Sequence, residues 1–434
     1  MARTRPLIAL CVAAVLPLAG ACSSGGSHEQ SGESRTQEVT FWSFLRGSDA
    51  VAEAFNASHP DIKVSFVNQA GGPDYYTKLS NAIKSGEVPD VAVAEYTRLP
   101  EIVSLGGATD LTDDAGSMVE ETFPDSIQEL VTLGGKTWGV PRDAAPLVYF
   151  YRKDFFTANG LAVPETWDEY KELAAKVKSI DGGKRAGAYL TNNYNLLTGL
   201  SWQAGGQWFD AKDDSWVVGI DDKPSLKVAE YWQNLVEKDL VSALPDYTDQ
   251  FWQDVQKDKL VGYFCASWCA GNLKQTVPDQ SGDWAVAELP SWGGESASAM
   301  WGGSSFIVPE GADNSEAALE FIKWITTDPK GIAAWYGNDA TSMYPASQSL
   351  VSIAKQSFAT EYFGGQDIFA VLTDSYDSVV PGWRWGPTMA TTETALADRL
   401  GNVTDGSAEL TDVYAETQDA TVKSLRDRGL TVAK

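Results

Sequence analysis

Residues 259–303 read KLVGYFCASWCAGNLKQTVPDQSGDWAVAELPSWGGESASAMWGG. The apolar run 260–265 predicts a short buried strand, Ser267-Trp268 a turn, and the stretch from Ala270 a helix. A second strand is predicted over 284–289. A Gly/Ser/Ala-rich segment follows and ends in Met300-Trp301-Gly302-Gly303. An indole at a strand-to-helix turn is not needed to finish a core. Such a turn stands on the rim of an α/β sheet, where ligands bind beyond the strand ends. The Gly/Ser segment is expected to cross between two lobes, because element-terminal residues of this kind absorb hinge motion.

A chain of 434 residues is too long for one typical core, so two lobes are expected. Sixteen Trp is a high count. More than half are expected to be plain core, and the remainder suit a binding face, since aromatic rings bring contact area with little rotamer loss. The formal net charge of −26 repels nucleic acid and anionic ligands, and no basic stripe exists to release counterions, so no nucleic-acid partner is expected.

The N-terminus carries Arg3 and Arg5 before the apolar run 7–21, which Pro17 interrupts. The run is too short to span a bilayer as a helix, so 1–21 reads as a signal peptide. It ends Leu18-Ala19-Gly20-Ala21-Cys22, which resembles a bacterial lipobox. Cys22 is then the acylated N-terminus, with 22–37, rich in Ser and Gly, a flexible tether. The protein is accordingly expected on the extracytoplasmic face of the cell membrane. Cys265 and Cys269 are left as either a disulfide or two buried thiols. No His stands beside them to complete a zinc site, and no metal or cofactor is implied.

Beyond the tether, 38–44 reads as a strand, 49–56 as a helix, 62–67 as a strand, 75–85 as a helix and 89–94 as a buried strand. This alternation argues for a parallel sheet with crossover helices. Phe44 and Arg46 then follow the first strand, and Glu95 with Arg98 the third, all beyond carboxyl ends. A hairpin over 134–141 leads to Asp143 and the apolar run 147–151. Thr166 and Glu169 form a capping box. Asn193 and Tyr194 stand in an amide-rich loop after the short strand 186–190, suited to a hydroxyl-covered ligand. The five Asp across 210–222 lack EF-hand spacing and read as a solvated hairpin. Later, Val380-Pro381-Gly382-Trp383-Arg384-Trp385 reads as a rigid loop with two exposed indoles.

The turn Ala266-Ser267-Trp268 with Gly271-Asn272-Leu273-Lys274, the run Ser85-Gly86 to Asp90-Val91-Ala92, and the crossing at Pro141–Asp143, taken in that chain order, resemble the family 1 extracellular solute-binding proteins. These are the carbohydrate-binding subunits of ABC importers and include maltodextrin-binding protein. Ala266 stands where the family usually has Gly. The resemblance implies an α/β, two-lobed periplasmic-binding-protein type II fold with hinge-connected mixed sheets. One lobe would hold 38–142 plus 300–326 and the other 143–299 plus 327–434. It implies an oligosaccharide ligand, ABC permease partners and a monomer. The ligand-binding set it supports is Trp268, Tyr194, Trp301, Trp383, Asn193, Asp143, Glu95, Arg46 and Phe44.

Chemistry is not expected. His28 and His59 are the only histidines, one in the tether and one beside Pro60, and neither can anchor a nucleophilic triad. No phosphate loop or nucleophile elbow is present. The alternatives are a secreted carbohydrate-active hydrolase, using a carboxylate pair, and a binding protein for a non-sugar solute.

Overall fold

A computed structural model describes residues 36–433 except 338–340. The signal peptide, Cys22 and nearly all of the tether lie outside the described residues. Order starts earlier than expected, since Gln37 already pairs in the first strand.

The first sheet is built as its apolar periodicity dictates. Strand β1 (Gln37–Ser43) buries alternate residues Val39, Phe41 and Ser43. Helix α1 (Ser48–Ser58) turns Val51, Ala52 and Phe55 inward. Strand β2 (Ile62–Asn68) pairs parallel to β1, in the register Phe41 to Phe66. Helix α2 (Pro73–Ser85) returns the chain to β3 (Val91–Glu95), also parallel to β1. The first four residues of β3 are buried, consistent with its central place in the order β2, β1, β3, then Ser304–Ile307, then Val140–Pro141. The returning strand Ser304–Ile307 runs antiparallel to both neighbours, which makes the sheet mixed.

The second sheet has three antiparallel strands. Leu147–Arg152 lies at its centre, flanked by Gly262–Ala266 and Trp284–Glu288. Its core is aromatic: Trp167, Trp232 and Trp284 are fully buried with Tyr170 and Tyr263. Thr166 caps the helix Trp167–Ile180 and Glu169 completes the capping box. The Asp-rich segment is a hairpin of Phe209–Lys212 with Ser215–Val218, its turn residues Asp213 and Asp214 in left-handed conformation.

The chain passes between the sheets along paired extended segments. Leu147 N–H donates to Ala299 O, Trp301 N–H to Ala145 O and Arg142 N–H to Ser304 O, each at 2.9 Å. The segment expected to be loose is therefore tied down from Ser298 onward. Gly303 is required there: its φ is +88°, and a Cβ would come within 2.8 Å of the Tyr96 ring. A third segment, Tyr344–Pro345, pairs with Asp143–Ala144. Helix Pro329–Trp335 stays with the first sheet, where Trp335 stacks on Phe306 at 6.0 Å and its Nε1 donates to Ile325 O at 2.9 Å.

Cys265, near the end of a strand, and Cys269, at the start of a helix, form a disulfide across the Trp268 turn. The Tyr247 hydroxyl lies 2.7 Å from the Cys265 sulfur. So short a loop confines the unfolded chain only modestly, and the chain-entropy relation gives about 2 kcal/mol. Thiol titration of the folded, oxidised protein is expected to find neither cysteine reactive. Cys265→Ser/Cys269→Ser should remain folded, with its unfolding free energy, read from a denaturant titration, lowered by roughly that amount.

Candidate functional site

A cavity of about 300 Å³ opens where the crossings meet the strand ends. From the first sheet it receives Phe44 and Arg46 after β1, Glu95 at the end of β3, and Asp143 and Ser304 from the crossings. From the other side come Asn195, Trp268, Gly271 and Asn272, with Trp301 between. The placement follows from topology, because parallel strands deliver their following loops to one edge.

Two indoles form one wall. Trp268 Nε1 donates to Trp301 O at 3.2 Å, and the two rings meet edge to face at 5.6 Å. Trp301 also stacks on Tyr247 at 6.1 Å, so it supports Trp268, which remains partly exposed. Phe44 packs edge-on against Tyr75 at 5.2 Å. Arg46 reaches across to Gln275.

The opposite wall is acidic. Asp143 Oδ1 accepts from Ser304 N–H at 2.9 Å and from its hydroxyl at 2.7 Å, and Oδ2 accepts from Arg142 at 2.8 Å. Arg142 lies 4.1 Å over the Trp335 ring, and burial pulls its pKa down from the ordinary value despite Asp143 beside it. Tyr76 donates its hydroxyl to Glu95 Oε2 at 2.9 Å. Burial raises Glu95 to about 7; Glu393 and Asp143 push the same way, while the Tyr76 hydrogen bond and Arg98 oppose them.

Next to Glu95, Arg98 donates to Glu393 Oε2 at 2.8 Å, and Tyr194 donates its hydroxyl to Glu393 Oε1 at 2.6 Å. Burial also raises Glu393. Burial pulls Arg98 down, but Glu393 and Glu101 outweigh it and hold the guanidinium above its ordinary value.

Six of the nine sequence-derived candidates line this one cavity: Phe44, Arg46, Glu95, Asp143, Trp268 and Trp301. Tyr194 stands behind the lining, joined to it through Glu393. Asn193 turns away: its side-chain amide donates to Asp246, and its oxygen accepts from Asn195 N–H at 2.7 Å. Trp383 is a correction. Its loop was expected to expose both indoles, yet Trp383 is 3% and Trp385 7% exposed. Trp383 stacks on Trp202 at 5.2 Å and leans on Trp208 at 5.9 Å, so its ring is used in packing away from the cavity. Sequence reasoning missed Glu393, Asn195 and Asn272. Asn272 lies inside the motif that singled out Trp268, whereas nothing sets Glu393 apart from the other acids of the chain.

A mixed sheet and an antiparallel sheet joined by paired crossings, with a ligand-sized cavity between them, define a two-lobed type II binding protein. Residues 43–332 match the family described as bacterial extracellular solute-binding protein, and the chain belongs to that family. It is 26% identical over 358 residues to the lactose-binding protein of Rhizobium radiobacter, covering 78% of this chain and 81% of the relative. It is 25% identical to the arabinooligosaccharide-binding protein of Bacillus subtilis, covering 84% and 86%. Among solved structures, the galacto-N-biose/lacto-N-biose I-binding protein of a Bifidobacterium longum ABC transporter, in complex with lacto-N-biose, superimposes with a TM-score of 0.82 at 27% identity, covering 92% of this chain and 99% of that one. Among the described residues no helix is long and apolar enough to cross a membrane.

The raised pKa of Glu95 sets a pH dependence of stability. Between its unfolded value near 4.5 and its folded value of about 7, the unfolded chain releases the proton first. The stabilisation from the buried neutral carboxyl is complete below that window and is lost as pH rises through 7. Glu95→Gln is expected to match the wild-type melting temperature at pH 4.5 and to exceed it at pH 8 in a thermal-melt series. Parallel melting curves at both pH values would contradict this.

Proposed function

We propose that the chain is the extracytoplasmic ligand-binding subunit of an ABC sugar importer, with the cavity at the crossings taking a neutral oligosaccharide. The observation carrying this reading is the partly exposed Trp268 face, with Asn195 and Asn272 beside it, set against a wall of carboxylates. An indole packs on the apolar C–H face of a sugar ring, while Asp143, Glu95, Asn195 and Asn272 take hydroxyls. The names of the relatives, which bind lactose, arabinooligosaccharides and lacto-N-biose, support the same ligand class.

In this reading residues 36–142, the returning strand with helix Ser315–Thr327, and helix Pro329–Trp335 form one lobe, and most of the rest forms the other. Ligand contacts to both lobes favour the closed form, which a permease would recognise; a ligand shifts that balance only by binding the closed state better. An acylated Cys22 would hold the protein, as a monomer, on the outer face of the cell membrane. No catalytic role is assigned to the carboxylates, and Asp143 is held by Arg142 and Ser304.

Titrating intrinsic tryptophan fluorescence with lactose, lacto-N-biose, β-1,6-galactobiose and maltotriose is expected to give saturable quenching or enhancement with at least one of them. Trp268→Ala should weaken that ligand about tenfold, the equivalent of about 1.4 kcal/mol for one lost ring face, with little change in melting temperature. No response to any of the four by the wild-type protein would count against the reading.

A further inference from the structure

Among the described residues five that are not glycine have positive φ, and four of them are Asp. Asp enters the left-handed region readily, because its short polar side chain hydrogen-bonds locally. The fifth is Tyr247, at φ +46°. An aromatic residue on a left-handed backbone costs free energy and persists only where its surroundings over-determine it. Both neighbours in the chain do so. The Asp246 side chain accepts from the Asn193 amide, and the Asp246 N–H donates to Asn192 Oδ1 at 2.7 Å. The amide-rich loop expected to meet the ligand therefore pins this turn instead. On the other flank, Thr248 caps the helix Asp249–Gln256 by accepting from Phe251 N–H.

Part of the arrangement is ordinary. Tyr247 precedes the cap, and its ring stacks at 5.7 Å on Trp252, as in the hydrophobic staple of a helix N-terminus. A staple needs only an apolar side chain, so it explains neither the strained backbone nor the other contacts. The Tyr247 hydroxyl lies 2.7 Å from Cys265 Sγ and 3.1 Å from Cys269 Sγ, at the disulfide that closes the Trp268 turn. The same ring meets Trp268 edge to face at 5.5 Å and stacks on Trp301 at 6.1 Å. Tyr247 thus packs on both indoles of the cavity wall while not lining the cavity itself.

We propose that Tyr247 is a positioning residue for ligand binding, which sets the orientation of the Trp268 ring that the sugar meets. This inference rests on the sugar-binding reading above. A stacking ring serves affinity best when its plane is fixed in advance, since ordering a loose side chain on binding subtracts from the gain. Trp268 is partly exposed; Trp301 holds its Nε1 end, and Tyr247 gives the ring a second fixed contact.

The test is a double-mutant cycle between positions 247 and 268, read by calorimetric titration with lactose, lacto-N-biose, β-1,6-galactobiose and maltotriose. Tyr247→Gly removes the ring and relaxes the left-handed backbone, and is expected to weaken the sugar that binds by about fivefold. Tyr247→Phe keeps the ring and should stay within about twofold of the wild type. In the Trp268→Ala background the loss from Tyr247→Gly should shrink to under about twofold, because the ring it positions is gone. Tyr247→Asn, which also tolerates positive φ, carries the same cycle should the glycine variant not fold. Equal losses in both backgrounds, or full affinity in a folded variant without the ring, overturn the positioning role while leaving sugar binding intact. Absence of binding of all four sugars to the wild type overturns the sugar reading, and this role with it.

Discussion

One carboxylate holds the middle of the molecule. Asp143 accepts the backbone N–H and hydroxyl of Ser304 with one oxygen and the Arg142 guanidinium with the other. Those partners lie on the two segments that pass between the sheets. Both the floor of the cavity and the alignment of the crossings therefore depend on a single buried group. A buried carboxylate is tolerable only when charged and polar partners replace its water, and Arg142 with Ser304 does so here. Arg142 is in turn secured on the face of Trp335, which stacks on the core residue Phe306. The chain of support runs from core to crossing to cavity without a gap.

Around that floor the walls differ in kind. The indole side is stiff, because Trp301 and Tyr247 fix the Trp268 ring and the disulfide closes the turn that carries it. The acidic side is electrically strained. Burial raises the affinity of Glu95 for protons, the charges of Glu393 and Asp143 add to it, and the Tyr76 hydrogen bond and Arg98 offset only part of this. Such a site favours guests that donate hydrogen bonds and carry no negative charge. Hydroxyl-rich neutral molecules meet both conditions, and anions fail the second.

Much of this was legible in the sequence, for local reasons. Strand and helix periods in residues 38–94 predict the parallel unit, and its strand ends place Phe44, Arg46 and Glu95 on one edge. Trp268 is visible because an indole at a strand-to-helix turn has no core to fill. What escaped was set by distant contacts. The Pro-Gly flanks of Trp383 suggest an exposed loop, but Trp202 and Trp208, far upstream in the chain, provide the stack that buries it. Nothing local to Pro329–Trp335 shows that Trp335 finds its partner in Phe306 of the first sheet. Glu393 sits on an ordinary amphipathic helix, and only folding brings it opposite Arg98.

The most direct measurement is native mass spectrometry of the protein purified from its own host without added ligand, followed by release and identification of whatever is bound. A neutral sugar adduct, lost on denaturation, is the result this account predicts. An adduct that is anionic or contains no sugar would contradict it.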